Sequence, residues 1–213
     1  MNEVESDFFS DPELCNTIRD CFDKALYPNR VRIAVVEQND PLDSFDCHAH
    51  NSGVGPFHLS IKSIHCKDAQ GPTFARKLLQ EMWNGEEWVL GLDSHIRFEK
   101  SWDTFMIDDI HKCDRPTRTV LSVYPLPFER KTDEKDKNEI THTIAHRMNY
   151  RFSELTHFDS EGNLCFKSVS YPLKPTKPTF APEIAAGCYF VHHDFLKLVP
   201  WGPHTPHVFF GKL

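Results

Sequence analysis

The stretch EEWVLGLDSHIRFEKSWD, residues 86–103, decides the fold. Its apolar run from Trp88 to Leu92 is short enough for a strand that is buried on both faces. The run stops at Asp93-Ser94-His95, and on an extended segment residues i and i+2 point to the same side. Asp93 and His95 could therefore share a cation at the end of the strand. The alternative is a polar loop in which Asp93 caps the next turn and His95 is a surface residue.

Helices and further strands are predicted on both sides of this stretch. Apolar residues at helical spacing predict three helices, at residues 11–26, 73–83 and 102–110. Short apolar or alternating runs predict five more strands, at residues 30–37, 57–65, 120–123, 187–191 and 208–210. Helices that alternate with short buried strands indicate an α/β fold with a mostly parallel central sheet. The chain has no internal repeat and no clear linker, so residues 1–213 are predicted to form a single domain.

Composition and charge exclude several classes of partner. The chain has 213 residues, a net charge of −7 and 39% hydrophobic residues, which argues against a nucleic-acid partner bound by a basic surface. The densest charge run, residues 129–139, is mixed in sign and predicts a solvated loop or insertion. The N-terminus lacks the features of a secretory signal, and no stretch approaches the roughly 20 apolar residues of a membrane span. We therefore expect no membrane partner.

The number and spacing of the cysteines indicate the redox environment of the protein. There are seven, an odd number, with no C-x-x-C pair. This pattern argues against a disulfide framework and a zinc ribbon, and it suits a reducing environment. The predicted location is the cytoplasm.

Other histidine groups offer alternative chemistry. His142 and His146 are spaced i and i+4, as on one face of a helix, but Thr143 stands where H-E-x-x-H has its glutamate. A metallohydrolase is therefore disfavoured, although it would predict tightly bound zinc. The segment from Asp46 to His50 could bind metal from a loop. The chain has no G-x-S-x-G, phosphate-loop or G-x-G-x-x-G motif, so it gives no support to a serine-hydrolase, P-loop or Rossmann interpretation.

A series of short motifs carries a family resemblance. Between residues 71 and 103 the chain contains, in this order, Gly71-Pro72-Thr73-Phe74-Ala75-Arg76, Asn84-Gly85-Glu86-Glu87, Leu92-Asp93-Ser94-His95 and Ser101-Trp102-Asp103. Later motifs are Leu121-Ser122-Val123-Tyr124-Pro125, Ala185-Ala186-Gly187 with Val199-Pro200, and Phe209-Phe210-Gly211. Together they resemble the N-acetylglucosaminyltransferase family that includes the cytoplasmic hydroxyproline-modifying enzymes of protists. The resemblance covers roughly residues 7–211.

The resemblance implies a fold and a set of site residues. The fold would be a GT-A-like nucleotide-sugar-binding sandwich. Asp93 and His95 fall on the family's D-x-H motif and would hold Mn²⁺, or another divalent cation, against the diphosphate of a UDP-sugar donor. Gly71, Arg76, Asp93 and Ser94 would bind the nucleotide sugar, with Gly71 allowing close backbone approach. The charge of Arg76 would suit a phosphate or the uracil-side pocket, and its alternative role is a surface salt bridge.

The implied reaction is transfer of N-acetylglucosamine from UDP-GlcNAc to a protein hydroxyl, of the hydroxyproline type, with retention of configuration. Two departures from the family pattern bear on it. No apolar first strand precedes Ser10-Asp11-Pro12, and Lys212 stands where the family's F-x-G-E-E has its first glutamate. The expected domain is therefore incomplete, truncated at both ends and lacking its first strand and a third metal ligand. One of His192, His193, His204 and His207 could substitute for that ligand. The alternative function is an inactive relic that acts at most as a binding module.

Overall fold

The computed structural model describes residues 11, 13–40, 58–122, 125–129, 140–144, 151–158, 160, 164–170, 178, 180 and 184–202. Within these residues there are four helices: α1 (Leu14–Lys24), α2 (Pro72–Glu81), α3 (Trp102–His111) and α4 (His193–Leu198). The strands are β1 (Ile33–Asn39), β2 (Leu59–His65), β3 (Trp88–Leu92), β4 (Ile96–Phe98), β5 (Val120–Ser122), β6 (Leu126–Glu129), β7 (Ile140–Ile144), β8 (Arg151–Phe158), β9 (Leu164–Ser170) and β10 (Cys188–His192). Short 3₁₀ turns lie at Pro28–Arg30, Cys66–Asp68 and Pro116–Arg118.

The described strands form four small sheets. β1 and β2 pair in parallel over their full lengths. β10 lies between β3 and β5 and is antiparallel to both. β4 is parallel to β7, which also pairs antiparallel with β6, and β8 and β9 form an antiparallel pair. The fold is thus mixed α/β, and the prediction of a mostly parallel sheet is wrong for this part of the chain. An apolar run shows that a strand is buried, but it does not show in which direction the strand runs.

Most elements predicted from apolar spacing are confirmed within a few residues of their expected bounds. One histidine prediction is wrong: His142 lies in strand β7, so its spacing from His146 does not place the two imidazoles on one helical face. The predicted strand at residues 208–210, the Asp46–His50 loop and residues 130–139 of the charged run lie outside the described residues.

The main hydrophobic core joins α1, α3, β4 and β10. Its buried members are Cys21, Ile96, Phe98, Trp102, Met106, Ile110, Cys188 and Phe190. Trp102 also donates its indole N–H to the carbonyl of Cys21 at 2.9 Å. Asp103 accepts hydrogen bonds from the amides of Leu26 and Tyr27 at 2.8 and 2.9 Å. The Ser101-Trp102-Asp103 motif therefore fastens α3 to the end of α1.

The cysteines are only partly as predicted. Cys21, Cys66, Cys113 and Cys188 are free, but Cys15 is disulfide-bonded. Separately, none of the helices in the described segments has the length and apolar character required to cross a bilayer.

Candidate functional site

Helix α1 holds the segment that follows β3. The buried hydroxyl of Thr17 lies 2.6 Å from the carbonyl oxygen of Ser94 and accepts the amide of Ile96 at 3.1 Å. One turn later, Asp20 accepts the amide of Phe98 at 2.6 Å. These bonds join positions almost 80 residues apart in the chain and fix the backbone at the carboxyl end of β3.

Asp11 joins this segment through its side chain. Its Oδ2 atom lies 2.9 Å from Nδ1 of His95 and accepts the hydroxyl of Ser94 at 2.5 Å. Its other oxygen accepts the amide of Glu13 at 2.9 Å, which fits its predicted place at the start of the helix, although Glu13 is the N-cap residue. The sequence placed Asp11 at the start of a helix and gave it no role in the site. In the structure Asp11 also orients both polar residues that follow Asp93.

Burial, hydrogen bonds and charges within this group shift the pKa values of Asp11 and His95. Burial raises the pKa of the Asp11 carboxyl, but the hydrogen bonds from His95, Ser94 and the Glu13 amide outweigh burial and leave the pKa below its usual value. The hydrogen bond to Asp11 raises the pKa of His95 against the opposing effect of burial, and the charges of Asp11, Asp93 and Glu13 raise it further. A protonated imidazole is therefore favoured beside Asp11. Because a metal binds neutral imidazole, a cation at His95 has to displace that proton.

Asp93 lies between Arg76 and the backbone of Gly187. Nη2 of Arg76 is 3.4 Å from Oδ1 of Asp93; the Arg76 side chain is 18% exposed and that of Asp93 is 35% exposed. The sequence left a salt bridge at Arg76 open; the structure contains one, and its partner is the predicted site residue. The amide of Asp93 donates to the carbonyl of Gly187 at 3.1 Å. A Cβ at position 187 would be only 2.5 Å from Oδ2 of Asp93, so glycine leaves the space that this carboxylate fills.

Gly71 has a local conformational role. It is the N-cap of α2 with φ of 91°, in the left-handed region where residues with a Cβ are strained. The following residue, Pro72, lines the cavity described next, whereas Gly71 does not. A direct contact of Gly71 with a nucleotide stays a prediction.

A cavity of about 870 Å³ runs along the full length of β1 and β3 and reaches the segment that follows β3. The predicted residues that line it are Arg76, Asp93, Ser94 and His95, together with Asp11. The volume lies within the range of pockets for small organic ligands. The guanidinium of Arg76 also lies 5.4 Å from the centre of the Trp201 ring, and the indole N–H of Trp201 donates to the hydroxyl of Tyr189 at 3.3 Å. The cavity therefore combines acidic, basic and aromatic groups.

Donor chemistry at the end of β3 fits a divalent cation. Asp93 and Asp11 offer carboxylate oxygens and His95 offers an imidazole nitrogen, a set that suits Mn²⁺ and similar ions. In the described segments these three residues do not form a compact group of ligands. Asp11 and His95 pair with each other, whereas Asp93 pairs with Arg76. The group whose ligand atoms all lie within 4.8 Å of one another is His192, His193 and Asp194.

That histidine group does not complete the predicted set. In the β3–β10 register His192 is opposite Trp88, at the start of β3, whereas Asp93 follows the last residue of the same strand. Four residues of extended chain separate the two ends by about 13 Å. His192 and His193 therefore do not supply the third ligand for Asp93 and His95. His204 and His207 lie outside the described residues.

Three residues of the site were not predicted from sequence, although each lies in or directly after one of the motifs on which the family resemblance rests. Gly187 ends the Ala185-Ala186-Gly187 block, Trp201 follows Val199-Pro200, and Asp11 lies within Ser10-Asp11-Pro12. Their position in or next to these motifs was the sequence signal that could have identified them. The contacts themselves were not visible, because they join distant parts of the chain.

Comparisons with known proteins identify a family for the chain. No curated protein and no solved structure matches the chain. A family model described as "Glycosyltransferase (GlcNAc)" matches residues 51–212, a range that contains Arg76, Asp93, His95 and Gly187. The chain therefore belongs to the GlcNAc glycosyltransferase family.

Proposed function

We propose that the protein is a metal-dependent glycosyltransferase that transfers N-acetylglucosamine from UDP-GlcNAc to a hydroxyl group of a protein acceptor. A hydroxyproline-type acceptor, retention of configuration, a GT-A-like sandwich and a cytoplasmic location belong to the same proposal. The observation that carries it is the position of Asp93 and His95 at the carboxyl end of β3, where they line one cavity with Arg76. Both residues also lie within the part of the chain that the family model matches.

Arg76 is suited to the diphosphate of the donor. A guanidinium group offers a planar fork of donors that matches phosphate oxygens, and it stays charged at any physiological pH. In the structure Nη2 of this guanidinium lies 3.4 Å from Oδ1 of Asp93, a long distance for an ion pair. An arriving diphosphate would attract the guanidinium and leave the Asp93 carboxylate available to a cation.

The neighbouring residues would hold that cation. Asp93 and His95 would bind Mn²⁺, while Asp11 would keep the His95 ring oriented through Nδ1, as carboxylates commonly do for metal-bound imidazoles. A bound divalent cation would stabilise the negative charge that develops on the departing diphosphate. The Gly187 backbone would fix the Asp93 carboxylate from its other side.

Binding of Mn²⁺ and UDP, measured by calorimetry, tests the site. Asp93→Asn keeps the shape of the side chain but removes its charge, and Arg76→Gln removes the fixed cation. Each is expected to weaken Mn²⁺-dependent UDP binding by about tenfold or more. Matched controls are Glu81→Gln and Lys77→Gln, because this exposed ion pair lies on the same helix as Arg76 and outside the cavity. Unchanged binding in Asp93→Asn would remove the metal assignment.

A second candidate function is a binding module without turnover. It is favoured because, in the described residues, Asp93 pairs with Arg76 and His95 pairs with Asp11, and the two do not share a third ligand. Release of UDP from UDP-GlcNAc by the purified chain with Mn²⁺ separates the two functions. Turnover that is lost in Asp93→Asn supports the transferase. UDP binding without turnover supports the binding module.

A further inference from the structure

A compact group of potential metal ligands lies where β10 passes into α4. His192 ends the strand, and His193 and Asp194 begin the helix. Oδ1 of Asp194 is 3.0 Å from Nε2 of His193, and Oδ2 of Asp194 is 3.5 Å from Nδ1 of His192. The carboxylate thus presents one oxygen to each imidazole.

These separations match those of ligands around a small cation. Zinc binds nitrogen and oxygen ligands at about 2.0–2.1 Å, so two ligands of a tetrahedral site lie roughly 3.3 Å apart. The two observed distances, 3.0 and 3.5 Å, fall on either side of this value. The two distances involve different oxygens of the carboxylate, and the single ligand atoms that the three residues would offer lie within 4.8 Å of one another, so the side chains must draw closer together to enclose an ion.

Each ring nitrogen of His193 has an acceptor as its neighbour, and only the Asp194 carboxylate is itself a potential metal ligand. Nδ1 of His193 lies 3.2 Å from the carbonyl oxygen of Glu87, which can only accept a hydrogen bond. Nδ1 must therefore carry a proton, and Nε2 faces the Asp194 carboxylate, which also only accepts, so a cation bound between Nε2 and Asp194 would replace the proton that holds them together. A backbone carbonyl on the far nitrogen is the usual support of a metal-bound histidine. Trp83 stacks on the same ring at 5.2 Å and restricts its rotation.

Two contacts compete with a cation. Lys197 places its ammonium group 3.5 Å from Oδ1 of Asp194, but its side chain is exposed and can move away. The amide of Asp194 donates a long hydrogen bond of 3.3 Å to Nδ1 of His192. A doubly charged ion attracts the carboxylate more strongly than one ammonium group does, so the Lys197 contact is replaceable. An ion bound at Nδ1 of His192 would in addition displace the Asp194 amide from that lone pair and cost the helix this cap.

From this geometry we propose that His192, His193 and Asp194 form a second metal site, separate from the sugar-nucleotide site, that takes Zn²⁺ or a similar borderline ion. Two imidazoles and one carboxylate are a set that zinc accepts with an open fourth position. The site joins the start of β3 to α4 through Glu87 and His193. Because metal binds the folded arrangement only, it stabilises that junction.

Calorimetry with zinc alone, on the full untagged chain freed of metal with EDTA, tests the proposal. We expect Asp194→Asn and His193→Gln each to weaken the tightest zinc site by about tenfold or more. Lys197→Gln is expected to strengthen it a few-fold, because the competing ammonium group is gone. His65→Gln is the imidazole control, since His65 lies at the end of β2 and outside this group.

Two further measurements keep the test independent of folding and of the first site. Co²⁺ bound to the wild-type chain should show the visible absorption of a low-coordinate nitrogen and oxygen site, and Asp194→Asn should lose it. Asp93→Asn should leave zinc affinity unchanged, because position 93 lies five extended residues, or about 16 Å, along the chain from Trp88, the residue opposite His192. Equal zinc affinity in wild type and Asp194→Asn, or an unchanged Co²⁺ spectrum, would overturn the proposal whether or not the chain transfers sugar.

Discussion

Gly187 is in contact with the carboxylate of Asp93: a Cβ at position 187 would lie 2.5 Å from Oδ2. Gly187→Ala should therefore push this carboxylate out of place and weaken Mn²⁺-dependent UDP binding by about tenfold to a hundredfold, as misplacement by about 1 Å often does. Calorimetry measures the effect. Gly85→Ala is the control, because Gly85 has φ of 100° and open space around it. That variant should lose stability by about 1–2 kcal/mol but keep its affinity.

Thr17 supports the site from helix α1. Thr17→Val keeps the shape but removes the hydroxyl that contacts the backbone of Ser94 and Ile96. The free energy of unfolding should fall by about 1–3 kcal/mol, since a buried amide loses its partner. Urea denaturation measures the difference. Thr119→Val, at an exposed turn, should change stability by less than about 0.5 kcal/mol, and an equal loss in both variants would contradict the supporting role.

Glu86 and Arg32 form an ion pair at 2.9 Å that should make stability depend on pH. Burial raises the pKa of Glu86, but hydrogen bonds from the Asn84 and Glu86 amides and from Arg32, with the charge of Arg32, lower it below its model-compound value of 4.5. A depressed folded-state pKa gives stability that is fully present above 4.5 and is lost as the pH falls through the folded value. Glu86→Gln should therefore destabilise the protein at pH 7 and have a smaller effect at pH 4. Glu81→Gln, at an exposed pair, is the control and should change stability by less than about 0.5 kcal/mol at pH 7 in parallel urea titrations.

Cys188 and Cys66 should differ in reactivity. Burial raises the pKa of the Cys188 thiol to about 12, and the charge of Asp93 adds to the shift. The nucleophilic thiolate is therefore almost absent at pH 8 in the folded protein. Iodoacetamide should modify Cys66, which is partly exposed, and leave Cys188 unmodified until denaturant is added. Peptide mass spectrometry follows both sites, and equal labelling in the native protein would contradict the buried position of Cys188.

The sequence was most informative where a pattern repeats over a whole element. The apolar spacing of α1 and the five-residue run of β3 each locate an element, because burial of one face or of both faces imposes a period. β4 was not predicted, since the three residues Ile96–Phe98 are too few to show a period. β8 and β9 were also not predicted, since their apolar residues neither form a long run nor recur at every second position.

The candidate site was predictable in part for a related reason. Asp93 and His95 are neighbours in sequence, so their common position at a strand end followed from local structure. The contacts of Asp11 with Ser94 and His95 span more than 80 residues, and no local pattern specifies them. The same holds for Gly187, whose role depends on which strand lies beside β10.

The two hydrogen bonds from β4 to helix α1 have a consequence for the solubility of the folded chain. Within the described sheets β4 is an edge strand, and an edge with unpaired amides is a template for pairing with another molecule. The amides of Ile96 and Phe98 are instead donated to side chains of Thr17 and Asp20. Two helical side chains thus take the place of a neighbouring strand and block this edge against aggregation.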